Sequence, residues 1–150
     1  MRIERADAGF DEDAAVLALL RAAFAGMAGR IDPPSSLDAM GIADIAARRR
    51  DEALWLARDG ARIVGCAFVA DRGDHAYLGK LAVAPGHTRR GIARLLVERV
   101  AAEHPVIRLQ TRVELVENHA AFARMGFVET GRTAHPGHPR PTSVTMERRR

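Results

Sequence analysis

Apolar side chains recur at helical spacing most clearly at Val16, Leu19, Leu20, Ala23, Phe24 and Met27, with Asp11 or Asp13 placed to cap the helix they predict. Residues 2–6 precede it as a short strand. Pro33-Pro34 within 30–36 force a loop, and Ser35 with Asp38 forms a capping-box pattern that starts a second helix over 37–50, weakened by Gly41. Residues 53–58 and 62–72 then predict two strands joined at Asp59-Gly60, a dipeptide suited to a tight hairpin. The second of these is apolar on both faces and so belongs in the middle of a sheet. A further strand spans 76–83, and a helix with a stripe at Ile92, Leu95, Leu96 and Val100 covers about 90–103. Strict alternation places Ile107, Leu109, Thr111 and Val113 on one face of a half-buried strand, with Arg108, Gln110 and Arg112 on the other. A short helix over 118–125 is stopped by Gly126, and strands over 127–133 and 142–146 flank a Pro- and His-rich loop.

This order predicts a single mixed α/β (α+β) domain over residues 1–150. Its central mixed sheet has six to seven strands, with helices on both faces.

The segment with most chemical content is 78–97, where a strand feeds a helix through the polar turn Gly86-His87-Thr88-Arg89-Arg90. The first N–H groups of a helix have no carbonyl partners, and they converge with the positive end of the helix dipole on any anion placed there. Gly91 and Ala93 keep that approach open, and Arg89 and Arg90 add positive charge. Small residues at a helix start also permit close packing on a sheet, so this pattern alone fits a packing role as well as a phosphate cradle.

The flanks favour the cradle. Leu81-Ala82-Val83-Ala84-Pro85, followed by Arg90-Gly91-Ile92-Ala93 and Leu95-Leu96, resembles the signature of the GNAT superfamily, whose members transfer an acyl group from acyl-CoA to an amine. A second block, Glu117-Asn118-His119-Ala120-Ala121-Phe122-Ala123-Arg124-Met125-Gly126-Phe127, looks like the same superfamily's Asn-led helix ending in Gly-Phe. The resemblance implies an acetyl-CoA-dependent N-acetyltransferase acting in a ternary complex with a primary amine of a small molecule or protein. It implies that the sheet splays between strands 76–83 and 106–113, with the thioester in the gap. Main-chain groups of Leu81, Ala82 and Val83 would then meet pantetheine, and Thr88, Arg89, Arg90, Gly91, Ile92 and Ala93 would hold the pyrophosphate. Asn118 and Phe122 would stand near the reactive arm, and the Val83 amide would stabilise the oxyanion. Glu114 is the first candidate for the base that deprotonates the amine, with Asp74, His75 and Tyr77 as rivals. Two positions depart from the superfamily's pattern. Thr88 replaces a usual Gln or Arg, and Phe122 replaces a Tyr able to protonate the leaving thiolate.

Composition narrows the alternatives. Hydrophobic residues make up 47% and charged residues 28%, as in ordinary globular domains, and no apolar stretch reaches membrane-span length. The N-terminus lacks the apolar run of a signal peptide, so a cytoplasmic protein is expected. Cys66 is the only cysteine and lies in an apolar run, which makes it a small hydrophobe. The net charge is +4 and Lys80 is the sole lysine among 23 basic residues. That arginine excess raises a basic nucleic-acid-binding protein as one alternative, but the arginines are scattered and aromatics are only 5%, so no nucleic-acid partner is expected. The terminal Arg148-Arg149-Arg150 reads as a solvated tail. A non-catalytic acyl-CoA-binding module is the other alternative, suggested by Phe122. His135 and His138 have no third ligand beside them, so no metal is expected. They border the acceptor pocket or face solvent. In the loop before the second helix Asp32 hints at a cationic acceptor and Arg30 at a carboxylate. A homodimer is compatible with this reading.

Overall fold

The computed structural model describes residues 1–150. Its chain order is β1 (Arg2–Arg5), α1 (Asp13–Phe24), α2 (Ile42–Asp51), β2 (Ala53–Asp59), β3 (Arg62–Asp71), β4 (Ala76–Val83), α3 (Ile92–Glu103), β5 (Val106–Arg112), α4 (Val116–Arg124), β6 (Val128–Thr133) and β7 (Ser143–Arg149). The seven strands form one sheet in the order β1-β2-β3-β4-β5-β7-β6, matching the expected mixed α/β domain. Every neighbouring pair is antiparallel except β4 and β5. No helix is long and apolar enough to cross a membrane.

Because β3 is apolar on both faces, helices cover both sides of it. An added Cβ on Gly65 would lie 2.9 Å from Ile92 and 3.3 Å from Leu96, so α3 rests on that face. Three residues on, Phe68 points to the other face and lies beneath the Arg48 guanidinium of α2, 5.2 Å from the ring centre. Val16, Leu20, Ile45, Leu54, Leu56, Val64, Phe68, Leu96 and Ile107 are fully enclosed. Each such aliphatic or aromatic side chain contributes about 1.5–3 kcal/mol relative to exposure. Cys66 is buried, which pushes its thiol up to about 12 and leaves it an inert packing group.

Several expectations shift. Neither Asp11 nor Asp13 caps α1. The capping position is Glu12, whose side chain makes no cap bond, because Arg58 draws the Glu12 carboxylate and Arg49 draws that of Asp13. The second helix is broken in two. Ser35 accepts from the Leu37 N–H and starts a short 3₁₀ turn at Ser36–Ala39, while Gly41 is extended (φ −112°, ψ 179°) and donates to Asp44 Oδ2 to start α2 afresh. The hairpin turn is centred on Gly60-Ala61, one residue later than expected, with the positive φ at Gly60 (61°). On α3 the buried stripe is Ile92, Leu96, Val97, Val100 and Ala101, and Leu95 is exposed. The terminal arginines are not a free tail, although Arg149 and Arg150 remain exposed. β7 runs on to Arg149, where Arg148 meets Glu98 at 3.0 Å, Arg149 meets Glu147 at 2.5 Å and Arg150 bonds the Ala101 carbonyl.

Candidate active site

The feature that shapes the site is the junction of β4 and β5. These strands are paired only at Ala76↔Ile107 and Tyr77↔Arg108 and then diverge. A bulge in β4 accompanies the divergence. The β3 register shifts between Cys66 and Phe68, and Lys80 takes a left-handed φ of 51°. Beyond the bulge, the Ala84 N–H donates to the Val64 carbonyl at 2.8 Å. Since main-chain groups alternate in direction along a strand, those of Val83 and Leu81 point away from β3 and into the gap. The gap thus has one wall of backbone donors and acceptors without a strand opposite them.

Past Val83, a one-turn 3₁₀ segment (Pro85–His87) leads to α3. Thr88 has φ −66°, Arg89 the left-handed φ 65°, Arg90 an ordinary negative φ, and Gly91 φ 78°. Alternating handedness of this kind curls successive N–H groups toward one point, which makes an anion-binding concavity just where the unpaired N–H groups of α3 begin. Nothing lies within 4 Å of a Cβ built on Gly91. Its glycine therefore serves the backbone conformation and an open approach, and the close-packing reading of this position is excluded. Arg89 and Arg90 are exposed beside it.

Two cavities meet in the gap and share Phe24, Met27, Leu81, Leu115, Asn118 and Phe122. One, of about 290 Å³, runs toward α3 past Val83 and Ala93 and is mostly apolar. The other, of about 350 Å³, lies between the diverging strands and is lined by Tyr77, Lys80, Gln110 and Arg112, with Arg48 from α2 and His135 from the β6–β7 loop. Arg94 ties the start of α3 to the end of α4 by donating to the Arg124 carbonyl at 2.8 Å, which brings the two sequence blocks together. In α4, Asn118 sits in the first turn and its Nδ2 reaches Thr111 Oγ1 at 3.5 Å, while Phe122 packs edge-on against Phe127 at 5.7 Å.

The proton-handling candidates fall in different places. Tyr77 lines the second cavity, its hydroxyl 3.5 Å from Gln110 Oε1, and burial raises its pKa. Glu114 lies beside the cavity lining. Its Oε2 accepts from the Asp32 N–H at 3.1 Å, and its Oε1 is enclosed without a donor. His75 and Asp74 bond each other at 2.6 Å and do not line the cavity. Arg30, one of the loop charges expected to sense the acceptor, is spent on Glu117 at 2.6 Å, and Asp32 is exposed, 3.6 Å from His138. The cations that do face the cavity are Arg48, Lys80 and Arg112, which sequence reasoning did not single out as a group. The alternation that put Arg112 on one face of β5 was the only available signal.

A sheet parted beside a parallel strand pair, with an anion-binding helix start at the end of one arm, defines a fold for holding an extended, phosphate-bearing ligand. The chain belongs to the acetyltransferase (GNAT) family, whose domain profile matches residues 50–129. Among solved structures it resembles the PaiA N-acetyltransferase of Thermoplasma acidophilum in complex with coenzyme A (TM-score 0.77, 15% identity, 100% of each chain covered). It also resembles the ribosomal-protein-S18-alanine N-acetyltransferase of Escherichia coli (TM-score 0.72, 16% identity, covering 99% of this chain and 94% of that one). A third similar structure is a GNAT acetyltransferase from Elizabethkingia anophelis with acetyl-CoA bound (TM-score 0.69, 17% identity, 99% and 97% covered). At these identities the likeness is one of fold. No curated protein matches the sequence.

Proposed function

We propose that the chain is an acetyl-CoA-dependent N-acetyltransferase that transfers the acetyl group directly to a primary amine. The observation that carries this reading is the parted β4–β5 junction, whose exposed main chain at Leu81 and Val83 leads without interruption to the Gly91 helix start. Acetyl-CoA fits that track. The open space over Gly91 and the curled N–H groups of Thr88 to Ala93, flanked by Arg89 and Arg90, suit the pyrophosphate. The apolar cavity along Leu81, Ala82, Val83, Asn118 and Phe122 suits pantetheine.

With the thioester at the junction, the amine nitrogen attacks the carbonyl carbon, the C–N bond forms, and the C–S bond breaks to release the CoA thiolate. The amine's surplus proton passes to the base and from it to solvent. The Val83 N–H, which faces the gap, stabilises the oxyanion of the intermediate. Phe122 offers no proton to the thiolate, which leaves unaided, as a thiol with an ordinary pKa of about 8.5 can. Tyr77, whose pKa burial raises, holds its proton at neutral pH and acts as a hydrogen-bond donor in the cavity. Glu114 is the candidate base through its unengaged Oε1.

Thermal denaturation with saturating acetyl-CoA tests the donor, since a ligand at 100 times its Kd stabilises the native state by about 2.7 kcal/mol. An unchanged melting temperature overturns the reading. Thiol release on an amine panel then separates an enzyme from a CoA-binding module, which would bind without turnover. Glu114→Gln should lower kcat by about 100-fold, the scale of a general base. An unaltered kcat removes Glu114 from the chemistry.

A further inference from the structure

The cavity between the diverging strands is lined by 19 residues, among them Arg48, Lys80 and Arg112, and not one is Asp or Glu. Its cations come from three separate elements: α2, the bulge of β4 and the end of β5. Two of the three have no carboxylate partner. Lys80 Nζ reaches only Ser36 Oγ, at 3.1 Å. Arg112 donates to the carbonyls of Pro33 at 2.5 Å and Pro34 at 3.3 Å, neutral acceptors that leave its charge uncompensated. Arg48 does have a carboxylate, Glu52 at 3.2 Å, but that residue lies outside the lining, and Arg48 Nε remains without a well-formed hydrogen bond. Like charges brought together in a half-buried cavity repel, and a protein keeps such an arrangement at a cost unless something anionic joins it. Lys80 registers that cost: burial, and then the charges of Arg48 and Arg112, lower its pKa.

We propose that this cavity is the acceptor site and that it selects an amine whose molecule also carries an oxyanion, a carboxylate or a phosphate-like group, seated against Lys80 and Arg112 with Arg48 behind them. The proposal rests on the acetyltransferase reading for the reaction but not for the anion site itself. The anion-binding helix start at Gly91 already provides for the donor's pyrophosphate at the far end of the track, so the three cations answer to the other substrate. Planar Arg112 suits a two-oxygen contact, and Lys80 adds a point charge. The same positive field disfavours an ammonium in the cavity. An acceptor amine held there is driven toward the neutral form that attacks the thioester, while a polycationic acceptor is rejected.

The test is binding of acetylated products, which needs no turnover. Isothermal titration on the full chain, free and saturated with CoA, compares N-acetylated amino acids of increasing length with their carboxamides, with phosphonate counterparts and with N-acetylputrescine. The oxyanion-bearing members should bind at least tenfold more tightly than the matched amides, and the preference should weaken as salt is raised. Whether the carboxylate or the phosphonate binds tighter assigns the source of the oxyanion. In Lys80→Met the preference should fall about tenfold, in Lys80→Arg it should persist, and acetyl-CoA should bind both variants as it binds the parent. Lys80 gives up only one exposed hydrogen bond, so its variants test the charge without loosening the Pro33-Pro34 loop that Arg112 holds. Equal binding of acids and amides, tighter binding of the acetylated diamine, binding of no product by either form of the chain, or a preference untouched in Lys80→Met each overturns the proposal. Loss of acetyl-CoA binding in the parent would overturn the acetyltransferase reading instead, and is scored separately.

Discussion

Gly91 acts through its backbone. At φ 78° with open space beyond its Cα, any other residue would meet no steric neighbour but would strain the turn by about 1–2 kcal/mol and place a side chain where an anion approaches. Gly91→Val should therefore weaken acetyl-CoA binding at least tenfold in titration calorimetry while lowering stability only by that strain. A loss of fold matching the loss of binding would return the position to a packing role. Phe122 shows the opposite kind of residue effect. It supplies ring surface to both cavities and an edge-on contact to Phe127, and its chemistry lies in having no hydroxyl.

Among the elements, α3 and β3 are coupled by Gly65. A side chain there would press Ile92 at 2.9 Å and Ala57 at 3.2 Å, so the helix proposed to present the phosphate cradle is seated by a missing Cβ in an interior strand. Gly65→Val is expected to destabilise the protein by about 1–3 kcal/mol, as overpacking does, and to weaken acetyl-CoA binding because the start of α3 must move. Denaturant unfolding and calorimetry on the same variant check both effects. Stability loss without any change in affinity would show that the cradle does not depend on this contact. The pair of glycines thus makes contrasting predictions, with Gly91→Val acting on affinity first and Gly65→Val on stability first. The break at Gly41 and the early start of α4 belong to this scale too. Local capping bonds, Ser35 to Leu37 and Gly41 to Asp44, set the boundaries around Gly41, whereas α4 starts at Val116 without a side-chain cap.

At the scale of the molecule, charge networks tie together segments far apart in the chain. Arg58, nearly buried in β2, binds Glu4 of β1, Glu12 before α1 and the Ala61 carbonyl of the hairpin, and its partners hold its own pKa up. Its guanidinium, hydrogen-bonded to Glu4 and Glu12, holds both carboxyls below their ordinary value. Stabilisation of this sign is fully present above the ordinary glutamate pKa of about 4.3 and is lost as pH falls through the lowered native values. Glu147, held down by Arg108 and Arg149, adds to the same acid limb. Arg58→Met should cost about 2 kcal/mol at neutral pH, from the lost charged hydrogen bonds. It should also flatten the fall of stability below pH 4.3. Melting curves from pH 3 to 7 measure both, and an acid limb as steep as the parent's would show that other carboxylates control it.

Periodicity and turn residues alone determined the seven strands, the four helices, their order and the central place of β3, because those features depend on neighbours a few positions apart. The β4–α3 turn and the α4 block were legible for the same reason: each is contiguous, and a glycine that must be left-handed leaves its mark locally. Only the tertiary structure decided what depends on distant segments meeting. Arg58 and Arg49 took the carboxylates beside the start of α1, Glu98 and the Ala101 carbonyl engaged Arg148 and Arg150, and Glu117 engaged Arg30. The convergence of Arg48, Lys80 and Arg112 has no local signature either, since α2, β4 and β5 are brought together by sheet order and by the parting of two strands.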